Sequence, residues 1–247
     1  PSSIRAGADP IELSPGIWGV GGHLDDDAFQ CHAYLIVDGD QSILIDPGSA
    51  LTWSVTLEKI ERIIPFQDIR WIVLHHQDPD ICGAMPKIDD MIERDDARWV
   101  VHWRGEALLK HYGTKTPFFR IEDHDWALPE SNRKIEFVFT PYLHFPGAFT
   151  TFDHESGILF SSDLFGGFTQ GDELIVQGSQ DFEGVELFHQ HYMPNHETLL
   201  HSMLKVEKLP LQAIAPQHGR IITNENIPYF ISRLKSLDCG LYLLTNT

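Results

Sequence analysis

The sequence predicts an α/β (α+β) fold of the αββα kind: two mixed β-sheets packed face to face, with helices on both outer sides. Short β-branched and aromatic runs separated by turns open the chain and lead into a helix. The same scheme of strands and then helix returns in the second half. No linker rich in Gly, Ser or Pro divides the halves, and there is no internal repeat or low-complexity tract, so a single domain over 1–247 is expected.

In the first half, residues 17–20, 31–37 and Ser42–Ile45 read as strands, and Gly39-Asp40 between the last two is a hairpin signal, so the opening is expected to be antiparallel. Asp46-Pro47-Gly48-Ser49 ends the third strand. Residues 53–64 follow with Val55, Leu57, Ile60 and Ile64 at helical spacing. Residues 69–74 form a continuous apolar strand that runs straight into His75-His76-Gln77-Asp78-Pro79-Asp80. In the second half the strand candidates are 99–102, 134–140, 150–153, 157–161 and Ala213–Pro216, and the helix candidates are 182–191, 197–208 and 227–237.

A hydrophobic content of 42% over 247 residues can fill a sizeable core. No apolar run approaches the ~20 residues needed to span a bilayer, and the polar start has no basic stretch followed by an apolar one, so neither membrane nor export is expected. Cys31, Cys82 and Cys239 are an odd number at wide spacing, which fits a reducing cytoplasm and inert thiols better than a disulfide framework. With 36 acidic against 18 basic residues the formal charge is −18, which disfavours nucleic acid and anionic membranes as partners. The same charge also serves plain solubility.

The chemistry sits where apolar strands end. WIVLHHQDPD, FVFTPYLH, GILFSSD and AIAPQHG each finish in a potential metal ligand. One histidine after a strand is an ordinary loop residue, but four such exits in one chain are improbable unless a site requires them. Alternation in an extended or turn segment puts His76, Asp78 and Asp80 on one side, with His75 and Gln77 facing away, so His75 is read as structural. Pro79 stiffens the loop between the two carboxylates, whose mutual repulsion a bound cation would relieve.

This constellation resembles the metallo-β-lactamase fold family, in which an HxHxDH signature after a strand is joined by a later His, a bridging Asp and a final His. Asp46-Pro47-Gly48 looks like the aspartate that supports the ligands in that family. The chain departs from the zinc hydrolases at Asp78, where they have the second His, and at Ile81, where they have the sixth-position His. A carboxylate at that second place is the pattern of the flavodiiron branch, and LHFPGAFTTFD, LFSSDLFGG and APQHG resemble that branch's later segments. The resemblance implies one iron held by His76, Asp78 and His144, a second by Asp80 and His218, with Asp163 bridging. It implies two iron ions with a bridging oxo, hydroxo or peroxo ligand. Oxygen donors of this kind suit iron, whereas His-rich tetrahedral sites suit zinc. Ile81 leaves the second iron with a vacant position for O2 or NO.

Flavodiiron proteins take electrons from an FMN in a following flavodoxin-like domain, and no such phosphate loop appears before Thr247, so no flavin is expected on this chain. The resemblance then points to oxygen-binding di-iron proteins without a flavin domain, acting as oxygen sensors or as slow O2 reductases fed by an external electron donor or linked to a signalling protein. A homodimer is left open. The alternative reading is a dinuclear metal-dependent hydrolase of a thioester, lactone or phosphoester, and a metal-free binding module is disfavoured by the gathered carboxylates. Phe145, Phe149, Phe165, Phe168 and Tyr192 could wall a dry pocket, with core packing the commoner role for such rings. His23 and His191 are candidates to support the ligands from outside. Cys82 is read as structural, Asp25-Asp26-Asp27 as a solvated turn, and His102, His111, His124, His154, His189, His196 and His201 as surface or satisfied core residues.

Overall fold

The computed structural model describes residues 9–24, 29–169 and 173–244, so the acidic run 25–27 and most of the polar start lie outside the described residues. The chain forms two compact units, one from residues 1–27 and 31–134, the other from residues 28–30 and 135–247.

Among the described residues the first unit holds a seven-stranded sheet whose strands lie in chain order: β1 (Ile11–Ser14), β2 (Ile17–Gly19), β3 (Tyr34–Ile36), β4 (Ser42–Ile45), β5 (Ile69–Val73), β6 (Arg98–Val101) and β7 (Phe118–Arg120). Neighbours from β1 to β4 pair antiparallel, as expected of the opening, and from β4 to β7 parallel. Parallel pairs need crossovers, supplied by α1 (Trp53–Glu61), α2 (Pro79–Cys82), α3 (Met85–Asp89) and α4 (Trp103–Leu109). Leu35, Leu44, Ile72 and Trp99 stand in register across four strands and pack with Trp53 and Ile60 of α1 and Met85 and Ile88 of α3. Both faces of β3 and β4 are buried, which is why they read as unbroken apolar runs.

The second unit holds a five-stranded sheet in the order β12-β11-β10-β9-β8: β8 (Ile135–Phe139), β9 (Phe149–Asp153), β10 (Ile158–Ser162), β11 (Ala213–Pro216) and β12 (Ile222–Thr223). β9 runs antiparallel to β8 and β10, and β11 runs parallel to β10. The carboxyl ends of β8, β10 and β11 therefore share one sheet edge. Crossing from β10 to β11 are α5 (Phe182–Tyr192) and α6 (His196–Val206), and α7 (Ile227–Lys235) and α8 (Leu241–Leu244) follow β12. The Asn195 side chain caps α6 by accepting the Thr198 N–H at 2.9 Å. Phe152, Leu159 and Ile214 of the sheet pack with Phe182, Val185 and Phe188 of α5, Leu199 and Met203 of α6 and Phe230 of α7.

Three expectations need correction. The strand expected over 31–37 is regular only at Tyr34–Ile36. The helix expected over 53–64 is regular only to Glu61, and residues 62–64 follow as a turn in which the Ile63 and Ile64 N–H groups both donate to the Ile60 carbonyl. The segment after β5 does not stay extended: Pro79 opens the helical turn α2, a position that suits its missing N–H, and Asp80 rides in that turn, so strand alternation does not set its direction.

Candidate metal centre

In the first unit the parallel pairing of β4 and β5 places Asp46 beside the exit of β5, its N–H donating to the Val73 carbonyl at 3.0 Å. Asp46 takes a positive φ of 48° and accepts from His75 twice, from the backbone N–H at 3.1 Å and from Nδ1 at 2.6 Å. Both residues are buried. His75 is thus occupied by Asp46, and His76 is the next buried imidazole, with Asp78 Oδ2 3.5 Å from its Nδ1. Gln77 Nε2 donates to Asp78 Oδ1 at 2.7 Å. Asp80 lies beside Cys31, whose thiol points at Oδ2 from 3.9 Å.

Cys82 is buried and its thiol faces the carbonyls of Gln77 at 2.9 Å and Asp78 at 3.0 Å. Burial pushes that thiol up to about 11, so it stays protonated and structural. Ile81 is fully buried in the unit's core and offers no donor atom.

In the second unit three strand exits meet. His144 follows β8, Asp163 follows β10 directly and His218 follows β11. Asp163 Oδ2 is 2.8 Å from His144 Nε2, and Oδ1 is 3.3 Å from His218 Nε2. One carboxylate, its side chain only 2% exposed, is therefore flanked by two imidazoles. His218 Nδ1 lies 2.8 Å from the Gln30 carbonyl, which can only accept, so a neutral His218 carries its proton there and turns an Nε2 lone pair to the aspartate. Two facing lone pairs repel unless a proton or a cation stands between them. The donor set of neutral imidazole and carboxylate fits a metal ion on this ground.

Phe29 lies 4.1 Å and Phe188 5.6 Å from the His218 ring, centroid to centroid, and neither was singled out by sequence. Tyr192 stacks on Phe188 at 4.8 Å and comes within 6.0 Å of His144. Of the rings expected to wall a pocket, Phe149 and Phe165 are fully buried and Phe168 packs on Phe29 and Phe188. His23 meets His32 edge-on at 5.1 Å. His191 is exposed, and the inward histidine of that helix is His189. The helical spacing of Phe182, Val185, Phe188 and His189 is the signal that marks it. His102 is buried and caps α4 by accepting the Arg104 N–H at 3.2 Å; burial lowers it to about 4.

The chain superposes with a TM-score of 0.79 and 25% identity on a chemotaxis sensor named ODP, solved as its peroxy diiron species, covering 97% of this chain and 99% of that one. The flavodiiron protein from Giardia intestinalis shares the fold at a TM-score of 0.79 and 20% identity, over 93% of this chain and 59% of that one. Among curated relatives, a nitric oxide reductase from Moorella thermoacetica is 25% identical over 233 residues, 87% of this chain and 58% of that protein. An uncharacterized protein from Methanocaldococcus jannaschii is 28% identical over 206 residues, 82% of this chain and 51% of that protein. The chain thus spans about half the length of the curated relatives it matches. The fold class is the metallo-β-lactamase-like α/β sandwich read from the sequence, with two mixed sheets. A family model described as ODP family beta lactamase matches residues 29–219, and the chain belongs to that family.

Proposed function

We propose that the chain holds two iron ions through His76, Asp78, Asp80, His144, Asp163 and His218 and binds O2 there, with NO as a second diatomic ligand. The observation that carries the reading is the buried Asp163 carboxylate, aimed at imidazoles on both of its oxygens by three strand exits. Similarity to a sensor solved in a peroxy diiron form supports iron over zinc, as does Asp78 where zinc hydrolases have histidine. Ile81 leaves one metal a ligand short, which suits a small exogenous ligand.

When bound, a ferrous pair supplies an open position and the electrons that hold a diatomic molecule. The chain's own groups do the rest. The carboxylates of Asp78, Asp80 and Asp163 hold charge, Asp46 orients the strand exit through His75, and Phe29 and Phe188 keep water from His218. Oxygen sensing, or slow O2 reduction fed by an external electron donor, is the role we assign. A cytoplasmic setting belongs to the same reading, since three cysteines at wide spacing suit a reducing compartment.

The test is anaerobic elemental analysis followed by stopped-flow mixing of the reduced, iron-loaded protein with O2. Two irons per chain and a visible charge-transfer band on mixing are expected. Zinc in place of iron from metal-balanced medium, together with turnover of a thioester, lactone or phosphoester, would overturn the reading in favour of a hydrolase.

A further inference from the structure

We infer that His189 is a positioning residue for the ligands Asp163 and His218, acting through the turn that follows β10. This inference rests on the di-iron reading and deepens it. β10 ends at Ser162, and the chain then reverses with two non-glycine residues at positive φ, Ser162 at 54° and Phe165 at 66°. L side chains adopt that region at a cost and stay there only where the surroundings over-determine the backbone. Part of the restraint is internal. Leu164 N–H donates to the Ser161 carbonyl at 3.1 Å, Gly166 N–H donates to the Asp163 carbonyl at 2.8 Å, and the Ser161 hydroxyl donates to the Leu164 carbonyl. The Phe165 N–H goes elsewhere: it donates to His189 Nε2 at 3.2 Å.

His189 is fitted to accept that bond. Its Nδ1 lies 2.8 Å from the Val185 carbonyl one helical turn earlier, so the proton is on Nδ1 and Nε2 carries the lone pair. The side chain is fully buried, and burial lowers its pKa to about 4, which keeps the ring neutral. A protonated ring or an apolar side chain could not accept from Phe165.

The same helix grips the turn at a second place. Phe168 N–H donates to the Gly184 carbonyl at 3.2 Å, and a Cβ on Gly184 would fall 2.1 Å from the Phe168 carbonyl oxygen. From there the restraint reaches the other ligand, because Gly167 N–H donates to the His218 carbonyl at 3.2 Å. Segment 163–168 thus has Asp163 at its head and the His218 backbone tied to its tail, with His189 holding its middle. Releasing Phe165 frees the strained turn to relax and moves the carboxylate away from both imidazoles.

The experiment loads the metal-free protein with Co2+ under argon and measures affinity by chelator competition and coordination by the d–d spectrum. Wild type is compared with His189→Leu, His189→Asn and His189→Gln. Leucine cannot accept, and asparagine is too short to reach Phe165, so each is expected to weaken Co2+ binding about 10–100-fold, the usual loss on removing outer support. Each should also alter the spectrum while circular dichroism stays that of wild type. Glutamine places an oxygen near the Nε2 position and is expected to recover affinity to within a few-fold. Wild-type affinity and spectrum in a folded Leu or Asn variant would overturn the inference, as would a folded Gln variant no better than Asn. Failure of wild type itself to take up Co2+ overturns the metal reading and this inference with it, an outcome distinct from a difference among variants.

Discussion

The two units present their candidate ligands in opposite ways. In the first, His76, Asp78 and Asp80 lie on one short segment after one strand, and the Asp78 side chain is 30% exposed. In the second, His144, Asp163 and His218 come from three strands far apart in the chain, and the Asp163 side chain is 2% exposed. A half-exposed carboxylate keeps water as a partner when no metal is present, whereas a buried one depends on the groups around it. The first unit offers a local motif on a turn. The second builds a dry, shared carboxylate that only its sheet topology assembles. Asp163 is accordingly where metal binding should be most fragile.

The largest expected effect tests that contrast directly. Asp163→Ala should lose both irons, with affinity falling more than about 100-fold, above the range for outer support. Asp78→Ala should lose one iron and retain the other. Metal content by elemental analysis after desalting checks both, and equal losses in the two variants would break the comparison.

Next in size is Asp46→Ala in the first unit. It removes the acceptor for two buried His75 donors. At ~1–3 kcal/mol for each stranded group, the loss should be about 4 kcal/mol in urea unfolding of the metal-free protein.

The third prediction concerns pH. His189 has a folded pKa lowered to about 4 from 6.5, so the unfolded chain binds the extra proton between these values. The stability contributed by the neutral ring is full above pH ~6.5 and is lost as pH falls toward ~4, on the order of 3 kcal/mol. The difference in unfolding free energy between wild type and His189→Gln should therefore shrink across that window. His102 in the first unit, also lowered to about 4, should act with the same sign. The smallest effect is expected at Lys235→Ala, which removes a half-exposed pair with Glu207 at 2.7 Å and should cost under ~1 kcal/mol by thermal melting.

Legibility in the sequence followed the range of the interactions. Runs such as ILI in β4 and AIAP in β11 showed strands because burial on both faces makes a strand continuously apolar. Strands β1, β7 and β12 were not legible, being two to four residues long with little pattern. The helical turn at Asp80 was not legible because Pro79 starts such a turn as readily as it stiffens a loop. His189 was passed over as one histidine among many, since its role depends on a backbone N–H at Phe165 that sequence does not display.

The strand-to-ligand rhythm and the six candidate ligands at the strand exits follow from residue type and local spacing, which a linear text preserves, whereas Asp78 and Ile81 stand out only against the family that the chain resembles. Tertiary structure alone decided that β8, β10 and β11 end at one edge, that Asp163 is buried between His144 and His218, and that His189 restrains the turn between them. The reason is physical: these relations are distances between residues remote in sequence, set by strand pairing and helix packing, and no local pattern encodes a distance of that kind.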